Sequence, residues 1–281
     1  MTRPLFTKCP ICKGKISKTN ICLREGNLLL CESCNHLLSG CNPSQYKKSL
    51  TSWDISEGTL PGKNAEHRLK KNIATKLNIA EKFLSPSKNK KLLDVGCSSG
   101  SVLKIASELG YKVKGVDTAI KPVITARKLG FDVFHGTLNE AKYKNNEFDL
   151  IILFEILEHI VDPVGLLKEC HRILKKDGLL LINTPNPDSW SAKFLRYKWT
   201  GYSLAKMGGH ISFFSPKSME ILSKITNLKL TYIKTKNVSF FYKENFSSKM
   251  IYKLLKLFTE LFNLPAQIFN KGHDLFVILK K

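Results

Sequence analysis

The stretch Leu92-Leu93-Asp94-Val95-Gly96-Cys97-Ser98-Ser99-Gly100 passes from a short apolar run into a glycine-bearing turn. The run suits a buried strand, and Ser101–Leu109 after it suits a helix. Glycines at such a strand-to-helix turn let the backbone bend tightly and approach a ligand closely. The next apolar run, Lys112–Val116, leads into Asp117. An acidic side chain there can accept hydrogen bonds from both hydroxyls of a ribose. A lone glycine turn would say little. Turn and acid together, each ending a strand, point to a nucleotide-like ligand rather than a structural turn beside an unrelated surface Asp.

Working outward, apolar runs continue at Asp132–His135, Phe148–Leu153 and Leu179–Asn183, with helical stretches Ile120–Leu129 and Val164–Leu174 between them. Such alternation implies a doubly wound, mostly parallel α/β sheet with helices on both faces. Upstream, His67–Phe83 carries Leu69, Ile73, Leu77 and Ala80 along one helical face. Downstream come a helix at Pro216–Thr226, a strand at Leu228–Thr235 and a last strand at Leu275–Leu279.

The N-terminal part is built differently. Cys9-Pro10-Ile11-Cys12 is followed by Cys31-Glu32-Ser33-Cys34, two CxxC pairs at zinc-ribbon spacing. Two tight turns can bring the four thiolates into a tetrahedron around one zinc ion, and a site with four protein ligands is closed to substrate, hence structural. Gly14 and Asn35, just past each pair, are the residues expected to make those turns. Four unrelated buried thiols would be an improbable coincidence in so short a stretch. Cys22 and Cys41 fit no second site. The boundaries that follow are 1–48 for the ribbon, 49–64 for a linker broken by Gly58, Pro61 and Gly62, and 65–281 for the α/β domain.

Composition narrows the setting. No stretch of eighteen uncharged apolar residues exists, so no membrane-spanning helix is expected. Met1–Lys8 lacks the apolar run of a secretory signal, which points to the cytoplasm and to reduced or metal-bound cysteines. The net charge of +22 is uneven. Residues 91–185 hold 13 Lys/Arg against 12 Asp/Glu, whereas residues 186–281 hold 16 against 5. Basic flanks favour an anionic partner, although a solvated lysine-rich surface accounts for them equally well.

Together these residues resemble the class I methyltransferase superfamily. The resemblance extends through Phe148-Asp149-Leu150-Ile151-Ile152. Glu155-Ile156-Leu157-Glu158-His159 with Asp162-Pro163 is similar to the ExLEH–DP segment of ubiquinone-biosynthesis O-methyltransferases. Lys176–Asn186 and His210-Ile211-Ser212-Phe213-Phe214-Ser215-Pro216 also match that group, and the cysteine pairs with Pro43 and Tyr46 look like the ribbon found ahead of many such enzymes. The resemblance implies a seven-stranded sheet and S-adenosylmethionine as cofactor, with Asp94, Gly96, Cys97, Ser98, Gly100 and Asp117 holding it. Two departures stand out. Ser98 replaces the usual second glycine, and Gly136-Thr137-Leu138 lacks the Asp that often meets adenine, leaving backbone groups near Thr137 and Leu138 to that task.

Methyl transfer to a hydroxyl needs alignment and removal of a proton. Glu155 and His159 follow the fourth strand, where ligands bind in open sheets, and His159 is the candidate base. His210 is a second candidate. A helix cap or loop tether is the competing role for either histidine. His36, His67, His135, His171 and His273 have no motif context. The expected acceptor is a small molecule, glycan or lipid-linked precursor. The alternatives are RNA, gripped by the basic flanks, and a non-catalytic binding module that keeps the fold. Oligomeric state is open.

The last feature is an amphipathic helical insertion at about 245–268. Within Lys249–Leu264, Ile251, Leu254, Leu255, Phe258, Leu261 and Phe262 form one stripe, Lys249, Lys253, Lys256, Glu260 and Asn263 recur opposite, and Pro265 is expected to end the helix. The stripe could pack on the domain or a second subunit, or lie in a membrane interface.

Overall fold

The computed structural model describes residues 3–55, 60, 62–87, 89–204, 208–242 and 248–281, without the side chains of 52–55, 63 and 249. A four-stranded sheet and a seven-stranded sheet organise them.

The large sheet comprises β4 (Lys91–Val95), β5 (Lys112–Asp117), β6 (Val133–His135), β7 (Phe148–Phe154), β8 (Leu174–Pro185), β10 (Lys229–Lys236) and β11 (Asp274–Lys280), in spatial order β10-β11-β8-β7-β4-β5-β6. Pairing is parallel from β8 through β7, β4 and β5 to β6. Only β11 runs antiparallel, to β8 on one side and β10 on the other. The expected doubly wound, mostly parallel seven-stranded sheet is therefore present.

Its central strands are apolar on both faces because both faces are covered. Leu92, Leu150 and Ile152 pack on one side with Ile73, Leu77 and Ala80 of α2 (Lys63–Glu81) and Ile105 of α3 (Ser101–Glu108). The next residues along the same strands, Leu93, Ile151 and Leu153, face Leu167 of α5 (Pro163–Ile173) and Leu222 of α7 (Pro216–Ile225). Both helices begin where the chain supplies caps. Asp162 accepts from the Gly165 N–H ahead of Pro163, and Ser215 exchanges hydrogen bonds with Ser218 around Pro216.

The small sheet contains β1 (Ile16–Leu23), β2 (Gly26–Cys31) and β3 (Leu37–Leu38), and its fourth strand, β9 (Ser212–Phe213), comes from far along the chain. Leu37 pairs with Phe213 and Leu38 with Ser212, while His36 Nε2 lies 2.8 Å from Ser212 Oγ. The ribbon is thus joined to the large domain through backbone pairing.

Two local expectations are revised. The stretch 49–55 of the expected linker is helical, the last part of α1 (Pro43–Ile55). Asn42 Oδ1 accepts from Gln45 N and Gln45 Oε1 from Asn42 N, a capping box with Pro43 at the first helical position. Residues 56–59 and 61 of the expected linker lie outside the described residues, as do 245–247 of the expected insertion and the side chain of Lys249. The insertion is also not one helix. α8 (Lys249–Glu260) stops before Leu261, and Pro265 sits in the first turn of α9 (Asn263–Ile268), where its missing N–H has no intrahelical partner to lose. No helix among the described residues is long and apolar enough to cross a membrane.

Candidate functional site

The glycine turn and Asp117 meet at the carboxyl ends of β4 and β5. Gly96 and Gly100 have φ of +78° and +84°, values that strain any side chain. Ser98 adopts φ +47° without being glycine. Its N–H donates to Asp117 Oδ2 at 2.8 Å, while Ala119 N–H donates to Oδ1 at 2.8 Å, so the turn and the acid hold each other. A carboxylate has about four acceptor positions. Two face backbone donors here, which leaves capacity for a diol. The Cys97 side chain is buried, its thiol packed against Gly115 and donating to the Ser98 carbonyl of the turn at 3.8 Å.

Asp94, at the end of β4, is 3% exposed, and its Oδ2 has no hydrogen-bond partner. Burial, with the Asp117 charge added, pushes its carboxyl up to about 8. An orphaned buried acceptor beside a second carboxylate is costly unless a ligand group meets it. It fits a ligand that carries a ribose diol and positive charge. S-adenosylmethionine has both, with a sulfonium and an ammonium group, and the residues present fit it. Past the end of β6, Thr137 N–H and its hydroxyl both bond Glu140 Oε2 at 2.7 Å, so this N–H is already engaged, and the Leu138 side chain is buried.

The second half of the site follows β7. Glu155 has φ +55°, a strained value of the kind that collects at functional sites. Asn183 of β8 holds it through its side-chain amide, which donates to Glu155 Oε1 at 2.5 Å, and through its carbonyl, which accepts from Glu155 N. The Glu155 side chain stays open to solvent on one side, yet the surrounding protein raises its carboxyl above the ordinary range. Ile156 next to it leans directly over Gly96.

Behind Glu155, three buried groups cluster. Glu158 Oε2 accepts from the Thr184 hydroxyl at 2.9 Å, and Glu158 Oε1 lies 3.8 Å from His210 Nε2 without a hydrogen-bond partner. The His159 and His210 rings meet edge to face at 4.7 Å. His210 Nδ1 lies 2.9 Å from the Gly201 carbonyl, the tether anticipated as its competing role. Burial lowers both histidines to about 4, helped at His159 by His210, so both are neutral near pH 7. Burial and the Glu155 charge hold the Glu158 carboxyl well above its usual range. The ligand atoms of Glu158, His159 and His210 all lie within 4.8 Å of one another, a donor set able to hold a metal ion.

The four cysteines converge as expected. Cys9 Sγ is 3.5 Å from Cys34 Sγ and Cys12 Sγ 3.4 Å from Cys31 Sγ, and all four lie within 4.8 Å of one another. Sulfurs around a tetrahedral zinc would stand about 3.8 Å apart, so this set fits zinc. The left-handed residues of the two turns are Lys13 (φ +61°) and Asn35 (φ +57°). Asn35 was expected there. Gly14 is needed instead for close approach, since a Cβ on it would stand 2.5 Å from Ser33 Oγ. Burial pushes the Cys9 thiol up to about 11. At Cys31 burial is outweighed by the Cys34 and Ser33 backbone N–H groups, which bring it down to about 7.

A profile of the methyltransferase domain family matches residues 64–233, more than half of the chain and the whole of the site just described apart from the cysteines. The chain belongs to the methyltransferase domain family. The ubiquinone biosynthesis O-methyltransferase of Pelagibacter ubique is 32% identical over 181 residues, which cover 58% of this chain and 70% of that protein. The enzyme of the same name from Actinobacillus pleuropneumoniae serotype 5b is 34% identical over 108 residues, covering 34% and 46%. The chain thus spans about half the length of several curated relatives. A SAM-dependent methyltransferase from Archaeoglobus fulgidus shares the fold, with a TM-score of 0.53 at 16% identity over 75% of this chain and 94% of the other. One from Mesorhizobium loti does so with a TM-score of 0.51 at 16% identity over 73% and 96%.

Sequence reading missed several residues of this methyltransferase site. Glu158 stood inside a quoted motif, three residues from Glu155, and that spacing was the available signal. Asn183 and Thr184 give no local sign, because they reach the site only through the β7–β8 register. Lys76 of α2 gives none either. Its ammonium lies 4.7 Å from the Phe154 ring centre, and burial brings it down to about 8 against the opposing pull of Asp274 and Glu155.

Proposed function

We propose that this chain transfers a methyl group from S-adenosylmethionine to a hydroxyl of a small-molecule acceptor, in the cytoplasm. The observation that carries the reading is the paired Asp94 and Asp117 around the Gly96–Gly100 turn, beside a strained Glu155 and a neutral His159. When bound, the cofactor supplies an electrophilic methyl group on a positively charged sulfur. Asp94, Asp117 and the turn bind it, and Ile156 and Glu155 bound the side from which an acceptor would approach. His159 is the group assigned to take the hydroxyl proton, because its neutral imidazole is the basic form. Glu158 and His210 orient it from behind.

The names of the relatives support a small-molecule acceptor over RNA, and a lipid-like or glycan precursor falls within that class. Eight free thiols support a reducing compartment. The four cysteines are assigned to one structural zinc, and the backbone at Leu138 to the adenine side, the Thr137 N–H being engaged by Glu140.

The test is calorimetric titration with S-adenosylmethionine, followed by an acceptor panel containing catechols, prenylated phenols, glycans and bulk RNA. Asp117→Ala should weaken cofactor binding by about 1–3 kcal/mol, since a diol loses its acceptor. Unchanged affinity would remove Asp117 from the site, and methylation of RNA alone would replace the acceptor class.

A further inference from the structure

α8 and α9 present an apolar surface that no other part of the described fold covers. Thr259 is the fully buried side chain of α8 and Ala266 that of α9. Leu254, Leu257, Leu261, Leu264, Ile268 and Phe269 are each 60–73% exposed. Exposed apolar residues are ordinary when scattered singly, but a contiguous run over two successive helices marks a contact surface. The surface continues beyond these helices. Phe194 and Tyr197 are equally exposed, and ring contacts run from Phe194 to Phe240 at 5.0 Å and on to Phe262 at 5.5 Å.

Its rim is basic. Lys253 and Lys256 on α8 and Lys193, Arg196 and Lys198 beside Phe194 are all exposed. The acids close to them are already engaged, Glu260 by Lys256 at 4.0 Å and Asp188 by Lys193 at 3.3 Å. An apolar strip flanked by lysines matches the boundary between acyl chains and anionic head groups. A second copy of this chain would instead set two basic rims against each other, which electrostatics opposes.

Position adds a further argument. β10 ends at Lys236 opposite Asp274 of β11, and Asp274 stands opposite Pro185 at the end of β8. α8 and α9 join β10 to β11, so they emerge at the end of the sheet that holds Asp94, Asp117 and Glu155. A helix of twelve residues is about 18 Å long, too short to cross a hydrocarbon core of about 30 Å but suited to lying in its surface.

We propose that the α8–α9 face, continued by Phe194 and Tyr197, seats this protein on an anionic lipid bilayer, with the open edge of its cleft toward the membrane. The orientation of the cleft rests on the proposed function, whereas the seat on the bilayer rests on the surface, and its readout is independent of methyl transfer.

The experiment is flotation of the full chain with vesicles of phosphatidylcholine, alone or mixed with phosphatidylglycerol, at low and high salt. The chain should float with the mixed vesicles at low salt and be released by high salt. Leu254→Asp with Leu261→Asp should lower the bound fraction at least about tenfold. Light scattering and a melting curve on the same variant report self-association and folding. Lys253→Glu with Lys256→Glu, which leaves the apolar face intact, should abolish the preference for phosphatidylglycerol. The proposal is overturned if the chain ignores mixed vesicles at low salt or if the lysine variant binds them as the parent does. A parent dimer that the leucine variant dissociates would likewise overturn it and assign the face to a second copy.

Discussion

The Tyr46 hydroxyl donates to the backbone carbonyl of His159 at 2.7 Å. One hydrogen bond thus runs from α1, the helix that follows the ribbon, to the residue assigned as base. Ser49 of the same helix stands against Gly209, which itself adjoins the His159 ring. α1 therefore closes the His159 side of the site.

Tyr46→Phe tests this closure. Loss of one partly buried hydrogen bond should cost about 1 kcal/mol of stability. Turnover should fall severalfold while cofactor affinity, measured by calorimetry, stays unchanged. Equal losses in cofactor affinity would mean that α1 acts on the whole cleft and not on His159.

Cys31→Ser should reduce zinc from about one ion per chain to a small fraction, read by metal analysis. The effect should spread, because β3 pairs with β9 and Ile211 next to it donates to the Glu158 carbonyl. Melting temperature and turnover should therefore drop together. A variant with full zinc and undiminished stability would refute the four-cysteine site.

Asp94→Asn separates folding from binding. The folded Asp94 carboxyl titrates at about 8, whereas an unfolded one titrates at about 4. Between those values the native state keeps a proton that the unfolded chain has released. The stability this gives is complete below about 4 and is lost as pH rises to about 8. The variant should match the parent near the lower limit and exceed it by a few kcal/mol at the upper. It should also bind the cofactor more weakly, since a cation loses its carboxylate. A stability gap that stays constant across this pH range would show that Asp94 is not buried as a protonated acid.

His159→Ala should lower turnover by about a hundredfold or more. Cofactor affinity should stay within error of the parent. If turnover survives, His210 becomes the better candidate, or the acceptor needs no base at all.

What the sequence by itself determined is what short-range chemistry dictates. The glycine turn, Asp117 at a strand end and two CxxC pairs depend on neighbours a few residues away, so spacing alone reveals them. The doubly buried strands were legible because a parallel sheet covered on both faces demands continuous apolar runs. Asn42, Pro43 and Gln45 carry a helix start that is legible in the sequence, since a capping box depends on residues three apart. Only the tertiary structure decided the rest. Glu158 meets Thr184 and His210 because β8 lies beside β7 and because β9 is held by the ribbon, and Lys76 comes near Glu155 because α2 crosses the sheet. The periodicity of 249–264 foretold an apolar stripe but not its exposure. Whether a stripe is covered depends on what packs against it, and that is a property of the folded chain.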